Sequence, residues 1–158
     1  MSGTLSLWDF SLATYAKPGV PEACLDLQDR HGADVNLLLW AAWLGSLGHV
    51  LTESELDAGR EAVSAWHGEV VMPLRAVRRR LKEGPPPAPS PATEALRNRV
   101  KAAELEAERL EQSILADVVR DVRRDASSDA AILANLQLAV PEAPAVTRQL
   151  HKAISAGA

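Results

Sequence analysis

Ala33-Asp34-Val35-Asn36-Leu37-Leu38-Leu39-Trp40-Ala41-Ala42-Trp43-Leu44-Gly45-Ser46-Leu47-Gly48 is the most apolar stretch of the chain. Its apolar residues do not keep to one stripe, and a helix that is apolar all round is covered by neighbours on every side. The stretch therefore reads as the buried central helix, about residues 34–47, of an all-α helical bundle. Asp34 is its natural N-cap, because a short carboxylate accepts the free N–H groups of the first turn, and Gly48 closes it. Val35 to Leu51 is a run of 17 residues without Asp, Glu, Lys or Arg, at the lower edge of the roughly 20 that cross a bilayer. Asn36, Ser46 and His49 within the run, and the breaks at Gly45 and Gly48, favour a core helix and no membrane.

Around this helix there is material for one core, with 158 residues, 47% of them hydrophobic. The net charge of −4 lacks the basic footprint of a nucleic-acid binder. The single cysteine, Cys24, excludes an intrachain disulfide and fits a reducing setting. It has no adjacent basic group and reads as a small core residue, not a nucleophile. The first residues lack a signal-peptide pattern, so a cytoplasmic location is expected. All six aromatic residues lie in the first 66 positions, which puts the large-side-chain core there.

Helical spacing recurs on both sides of the central stretch, and no segment shows sustained period-two alternation. A first helix, about Ser6–Ala16, has Trp8, Leu12 and Tyr15 on one face and stops at Pro18-Gly19. A second runs from Pro21 to His31, with Gly32 as its stop. Thr52 and Glu55 form a capping box for a fourth. Its buried side is Leu56, Val63 and Trp66, its weak point is Gly59, and it breaks or bends at His67-Gly68. The fifth helix reaches about Lys82 with an apolar stripe of Val70, Leu74, Val77 and Leu81.

Gly84–Pro91 holds five prolines in eight residues, an extended semi-rigid linker. Beyond it, a helix of about residues 92–123 carries Leu96, Val100, Ala103, Ala107, Leu110 and Ile114 at heptad-like spacing. That seam docks back on the first half or pairs with another chain. The expected organisation is a helical core (1–84), a Pro-rich linker (85–91), the long helix (92–125), and short helices with a frayed tail (126–158).

Seven polar residues gather where the second and third helices meet: Asp26, Gln28, Asp29, Arg30, His31, Asp34 and Asn36. Asp26 and Asp29 share a helix face and could hold a divalent cation through oxygen ligands. The same residues also read as an Asp26–Arg30 ion pair beside the Asp34 cap. Asn36 lies one turn into an apolar helix, so its amide must find a partner, in the core or on a pocket wall. Arg75, Arg78, Arg79 and Lys82 lie away from the fifth helix's apolar stripe and form a candidate anion-binding row. Residues 69–83 carry five basic and two acidic side chains, net +3, against three basic and nine acidic, net −6, in residues 1–68. A solvated face, or one neutralised by the acidic second and fourth helices, explains the row equally. The histidines, His31, His49, His67 and His151, show no metal-ligand spacing, and no nucleophile elbow or phosphate loop occurs. No catalytic residue, metal site or cofactor is expected from these patterns.

The stretch Leu25–Trp40 resembles the hallmark of a proteobacterial family of small helical proteins, a domain of unknown function. The hallmark is a Leu-Gln-Asp-Arg, Gly-Ala-Asp-Val-Asn-Leu-Leu-Leu core. Leu7-Trp8-Asp9-Phe10-Ser11, Val71-Met72-Pro73-Leu74-Arg75 and Glu104-Leu105-Glu106-Ala107-Glu108 extend the likeness over about residues 5–115. The resemblance implies a soluble, cytoplasmic, helical protein and no activity.

The function these patterns point to is that of a non-enzymatic accessory or protein-interaction protein. It would use Leu96, Val100, Ala103, Leu110 and Ile114 toward a partner or a second copy. An alternative is a phosphate- or diphosphate-binding protein or enzyme, with Mg²⁺ on the acidic cluster and the ligand on the arginines. A third is RNA or ribosome association through the basic fifth helix, although the mild charge makes nucleic acid a poor partner.

Overall fold

The computed structural model describes residues 4–156; its regular structure is entirely helical, with no strand among the described residues. Its helices are α1 (Leu7–Tyr15), α2 (Val20–His31), α3 (Val35–Ser46), α4 (Glu53–Trp66), α5 (Met72–Leu81), α6 (Pro91–Ala116), α7 (Ser128–Ala139) and α8 (Pro144–Ser155). A π-helical turn, His67–Val71, joins α4 to α5. No described helix is long and apolar enough to cross a membrane.

The apolar opening stretch is α3, and α1, α2, α6 and α7 all pack on it. Trp40, Ala41, Ala42 and Leu44 have no exposed surface. Its ends are chemically fixed. Asp34 accepts the N–H of Asn36 at 2.9 Å, and Gly48 takes the left-handed φ of 82° that leaves the helix. The capping box forms as read, with Thr52 and Glu55 bonding reciprocally. Cys24 is fully buried, and burial pushes its thiol up to about 12, which suits a core residue.

Several local expectations fail for reasons of packing. On the α1 face of Trp8, Leu12 and Tyr15, Leu12 is 53% exposed, Tyr15 is exposed and Trp8 is partly covered by Arg109, while Leu7, Ser11 and Thr14 are buried. The short Ser11 and Thr14 let α1 lie close to α3 and α6. Gly59 is not a weak point but a contact site: a Cβ there would stand 2.6 Å from the Trp40 ring. The chain does not break at His67-Gly68. The π turn carries the rod from α4 into α5 without interruption.

On α5, the side toward α6 is formed by Arg75 and Arg78, while Val77 is 48% exposed. The Pro-rich segment is a turn, not a spacer. The Ala88 N–H donates to Pro85 O at 2.8 Å, and α6 returns antiparallel along α5.

α6 ends at Ala116, earlier than the periodicity suggests. Downstream backbone groups are claimed by the end of α3. Arg123 N–H donates to His49 Nδ1 at 3.0 Å, and the Asp125 N–H donates to Gly48 O at 2.8 Å. The tail is packed through residue 155, and the frayed end expected beyond it falls on residues 157–158, outside the described residues. α7 crosses α3 so closely that a Cβ on Gly45 would lie 2.6 Å from Ile132 Cα. Buried Asn135 ties the two helices through Ala41 O (3.0 Å) and His49 O (2.9 Å).

Gly45→Ala should therefore destabilise the fold by about 1–3 kcal/mol, despite Ala's better helix propensity, because backbone must move. Gly68→Ala, with nothing within 4 Å of its Cβ position, should be neutral or stabilising by roughly 0.5–1 kcal/mol. Urea denaturation of the pair checks this. A Gly45→Ala protein as stable as the parent would contradict the α3–α7 contact.

Candidate functional site

Three side chains from separate parts of the chain meet at the N-terminal end of α3. Asp34 caps α3 with Oδ1, which leaves Oδ2 at 3.2 Å from His67 Nδ1. His67 comes from the π turn. Glu111 comes from the inner face of α6 and places Oε1 at 2.8 Å from the same Nδ1. Glu111 has no exposed surface, and its Oε2 has no hydrogen-bond partner.

Two carboxylates around one imidazole in a largely buried site cannot all keep their solution behaviour. Burial, and then the negative charge of Glu111, push the Asp34 carboxyl up to about 7, although His67 pulls the other way. The hydrogen bond to Glu111 holds the His67 imidazole above its ordinary range against desolvation, with Asp34 adding to the effect. The cluster thus keeps protons that the unfolded chain would release.

The cluster opens on one side. Asp34 and His67 line a cleft of about 410 Å³ together with His31, Arg60, Ser64 and Glu142. Glu111 closes the inner side.

A second cleft, about 390 Å³, lies between α1, α2, α5 and α6. Gln28, Asn36, Arg75, Arg78 and Arg79 reach it. These are residues that the sequence singles out, but most are already partnered. Arg75 donates to Gln28 Oε1 at 3.0 Å and to Glu108 at 3.1 Å. Arg78 grips Glu104 with two hydrogen bonds, the second at 3.1 Å. Burial raises the Glu108 carboxyl, with Arg75 opposing the shift. Asn36 accepts from Gln112 Nε2 at 3.0 Å in the core.

The remaining members of the polar cluster disperse. Asp26 pairs with Arg30 at 3.0 Å (i, i+4). Asp29 lies 3.9 Å from Arg79, with both side chains more than half exposed. Lys82 is exposed, with no carboxylate partner among the described residues. The row of basic residues on α5 is thus largely neutralised by α6. Of the seven polar residues at the α2–α3 junction, only Asp34 enters the His67–Glu111 site.

Sequence reading misses His67, Glu111, Glu104 and Glu108. A signal is present, since Glu104, Glu108 and Glu111 repeat at i, i+4, i+7. That is the spacing of an inward stripe, but it is written in charged residues. Nothing local marks His67, because its partners lie far away in the chain.

Residues 6–115 match a family described as protein of unknown function (DUF2390). No curated protein and no solved structure matches the chain.

The titration has a definite sign. A folded-state pKa raised above the unfolded value adds stability at low pH that disappears as pH rises through the folded value. The Asp34 contribution should be complete below about pH 4 and gone above about 7. The His67 contribution should fade from about pH 6.5 upward. In chelator-containing buffer, unfolding free energy should fall from pH 5 to pH 8, and Asp34→Asn should flatten that slope. Urea titrations at each pH check this. An Asp34→Asn slope as steep as the parent's would contradict it.

Proposed function

This chain belongs to the DUF2390 family, and we propose that it acts through protein association, as a self-pairing helical scaffold, rather than through catalysis. The observation that carries this reading is the orientation of α6. The helix buries Glu104, Glu111 and Gln112 and turns its apolar seam outward, leaving Leu96 46%, Leu110 47% and Ile114 37% exposed. Ala103 is also exposed, while Val100 is partly covered and Ala107 is buried under Trp66, whose Nε1 donates to its carbonyl at 2.8 Å.

A helix that spends its inward face on carboxylates and leaves leucines in water has an unpartnered face. Leu96, Ala103 and Leu110 recur every seven residues and form a straight ridge; Leu96 to Ile114 spans about 27 Å.

The occupant that this ridge fits is a second copy, antiparallel, with the two-fold axis near Ala103. Leu96 then meets the other copy's Leu110, and the small Ala103 at the centre lets the helices approach. Arg99 and Glu106 flank the ridge, exposed, and form no ion pair among the described residues. In this arrangement Arg99 comes opposite the partner copy's Glu106, and the reverse, so the charges complement. A parallel pairing would instead set like residues at the same level.

In this reading residues 1–84 are the scaffold, the turn at 85–91 returns the chain, and the helix within 92–125 is the association element. The cytoplasmic setting and proteobacterial origin implied by the family likeness accompany it. An anion site on α5 is the weaker reading, because Arg75 and Arg78 already hold carboxylates.

Sedimentation equilibrium tests the reading. A narrow ridge should give a weak, concentration-dependent dimer that weakens further at high salt. Leu110→Glu should abolish it. Arg99→Glu should weaken it, and the double swap Arg99→Glu/Glu106→Arg should restore it. A monomer at all concentrations, or a dimer indifferent to Leu110→Glu, would overturn the proposal.

A further inference from the structure

We propose that Asp34, His67 and Glu111 form a binding site for one divalent first-row transition-metal ion, with open coordination positions toward the cleft. The proposal rests first on geometry. One ligand atom from each residue, two carboxylate oxygens and an imidazole nitrogen, lie within 4.8 Å of one another. An ion bound at about 2.0–2.2 Å to each needs donor atoms about 3–3.6 Å apart. The Nδ1–Oδ2 distance, 3.2 Å, already lies in that range, and the Nδ1–Oε1 distance, 2.8 Å, must open slightly on coordination.

The second observation is independent of the clustering. Glu111 is completely buried, yet its Oε2 has no hydrogen-bond donor. A buried carboxylate oxygen left without a donor carries its full desolvation cost. Arg75 and Arg78, the cations of the neighbouring α5, are engaged by Glu108 and Glu104 instead. A cation bound between Asp34, His67 and Glu111 would meet the Glu111 carboxylate, whose Oε1 already faces His67 Nδ1, and give its buried charge a counter-ion.

The ligands are held by backbone features. Asp34 is fixed by its capping bond to Asn36, which orients the free Oδ2. His67 opens the π turn, and such turns recur at functional sites. Glu111 projects from the last third of the 26-residue α6, five residues before its final residue, Ala116.

The donor set selects the ion. One imidazole and two carboxylates suit Mn²⁺, Fe²⁺, Co²⁺ or Zn²⁺. Ca²⁺ and Mg²⁺ prefer oxygen alone, and the soft-metal ligand Cys24 is on another part of the fold. Three protein ligands leave at least one position free, the pattern of an ion that also takes water or a small anion. The cleft beside Asp34 and His67 gives that position access.

The expectation that no histidine binds metal follows from spacing along one helix; a site drawn from three elements has no such spacing.

The test is calorimetric titration of the chelator-stripped full chain with Zn²⁺, Mn²⁺ and Mg²⁺, plus absorption spectra with Co²⁺. One equivalent of Zn²⁺ or Mn²⁺ should bind, with Mg²⁺ far weaker, and bound Co²⁺ should show visible d–d bands. Glu111→Gln and His67→Gln keep side-chain size. Each should lower affinity by more than the roughly 10–100-fold that loss of an outer-shell partner costs. Asp26→Asn, outside the site, should bind as the parent does, and circular dichroism verifies that each variant is folded. Absence of stoichiometric binding would overturn the proposal. So would affinity unchanged in folded Glu111→Gln and His67→Gln proteins, which would place any bound ion elsewhere.

Discussion

The structure depends on how the carboxylates of α6 are buried. Glu104 and Glu111 face inward with 5% and 0% of their surface exposed. Charges in such a place are tolerated only where partners meet them, and removing one partner from a buried pair typically costs about 3–5 kcal/mol. The rod formed by α4, the π turn and α5 supplies those partners in order along α6. His67 meets Glu111, Arg75 meets Glu108, and Arg78 meets Glu104. This ladder fixes the rotation of α6 about its own axis. Once that rotation is fixed, Leu96, Leu110 and Ile114 have nowhere to point but outward.

The same ladder explains how much of the fold is legible in the sequence. The central helix could be read because it is apolar on every side and ends in Asp34 and Gly48. The Thr52–Glu55 capping box and the α2 stop at Gly32 are local chemistry and are equally visible. The rotation of α6 is not, because two stripes with helical spacing compete, one of leucine and alanine and one of glutamate. Hydrophobicity alone selects the wrong one. The arginines that decide the matter are on another helix. α1 repeats the lesson on a smaller scale, since close approach to α3 selects its small residues Ser11 and Thr14 over Leu12 and Tyr15.

The candidate site was legible only in part. Asp34 stood out as a cap beside an apolar run, but a cap uses one carboxylate oxygen. What the other oxygen does depends on His67 and Glu111, which only the folded chain brings near. Asp26, Asp29 and Arg30 looked equally polar in sequence, and they form ordinary surface pairs. The proposed metal site and the association ridge share α6 but no residue, so each can be removed without the other.

The most direct measurement is hydroxyl-radical footprinting of the chain, read by mass spectrometry in dilute and in concentrated solution. With α6 turned as described, Leu96 and Leu110 oxidise readily in dilute solution while Leu115, with no exposed surface, stays protected. On concentration, Leu96 and Leu110 become protected and Leu12, 53% exposed on α1, does not. Protection of Leu96 and Leu110 already in dilute solution would show that the apolar seam faces the core. It would contradict both the carboxylate ladder and the association ridge built on it.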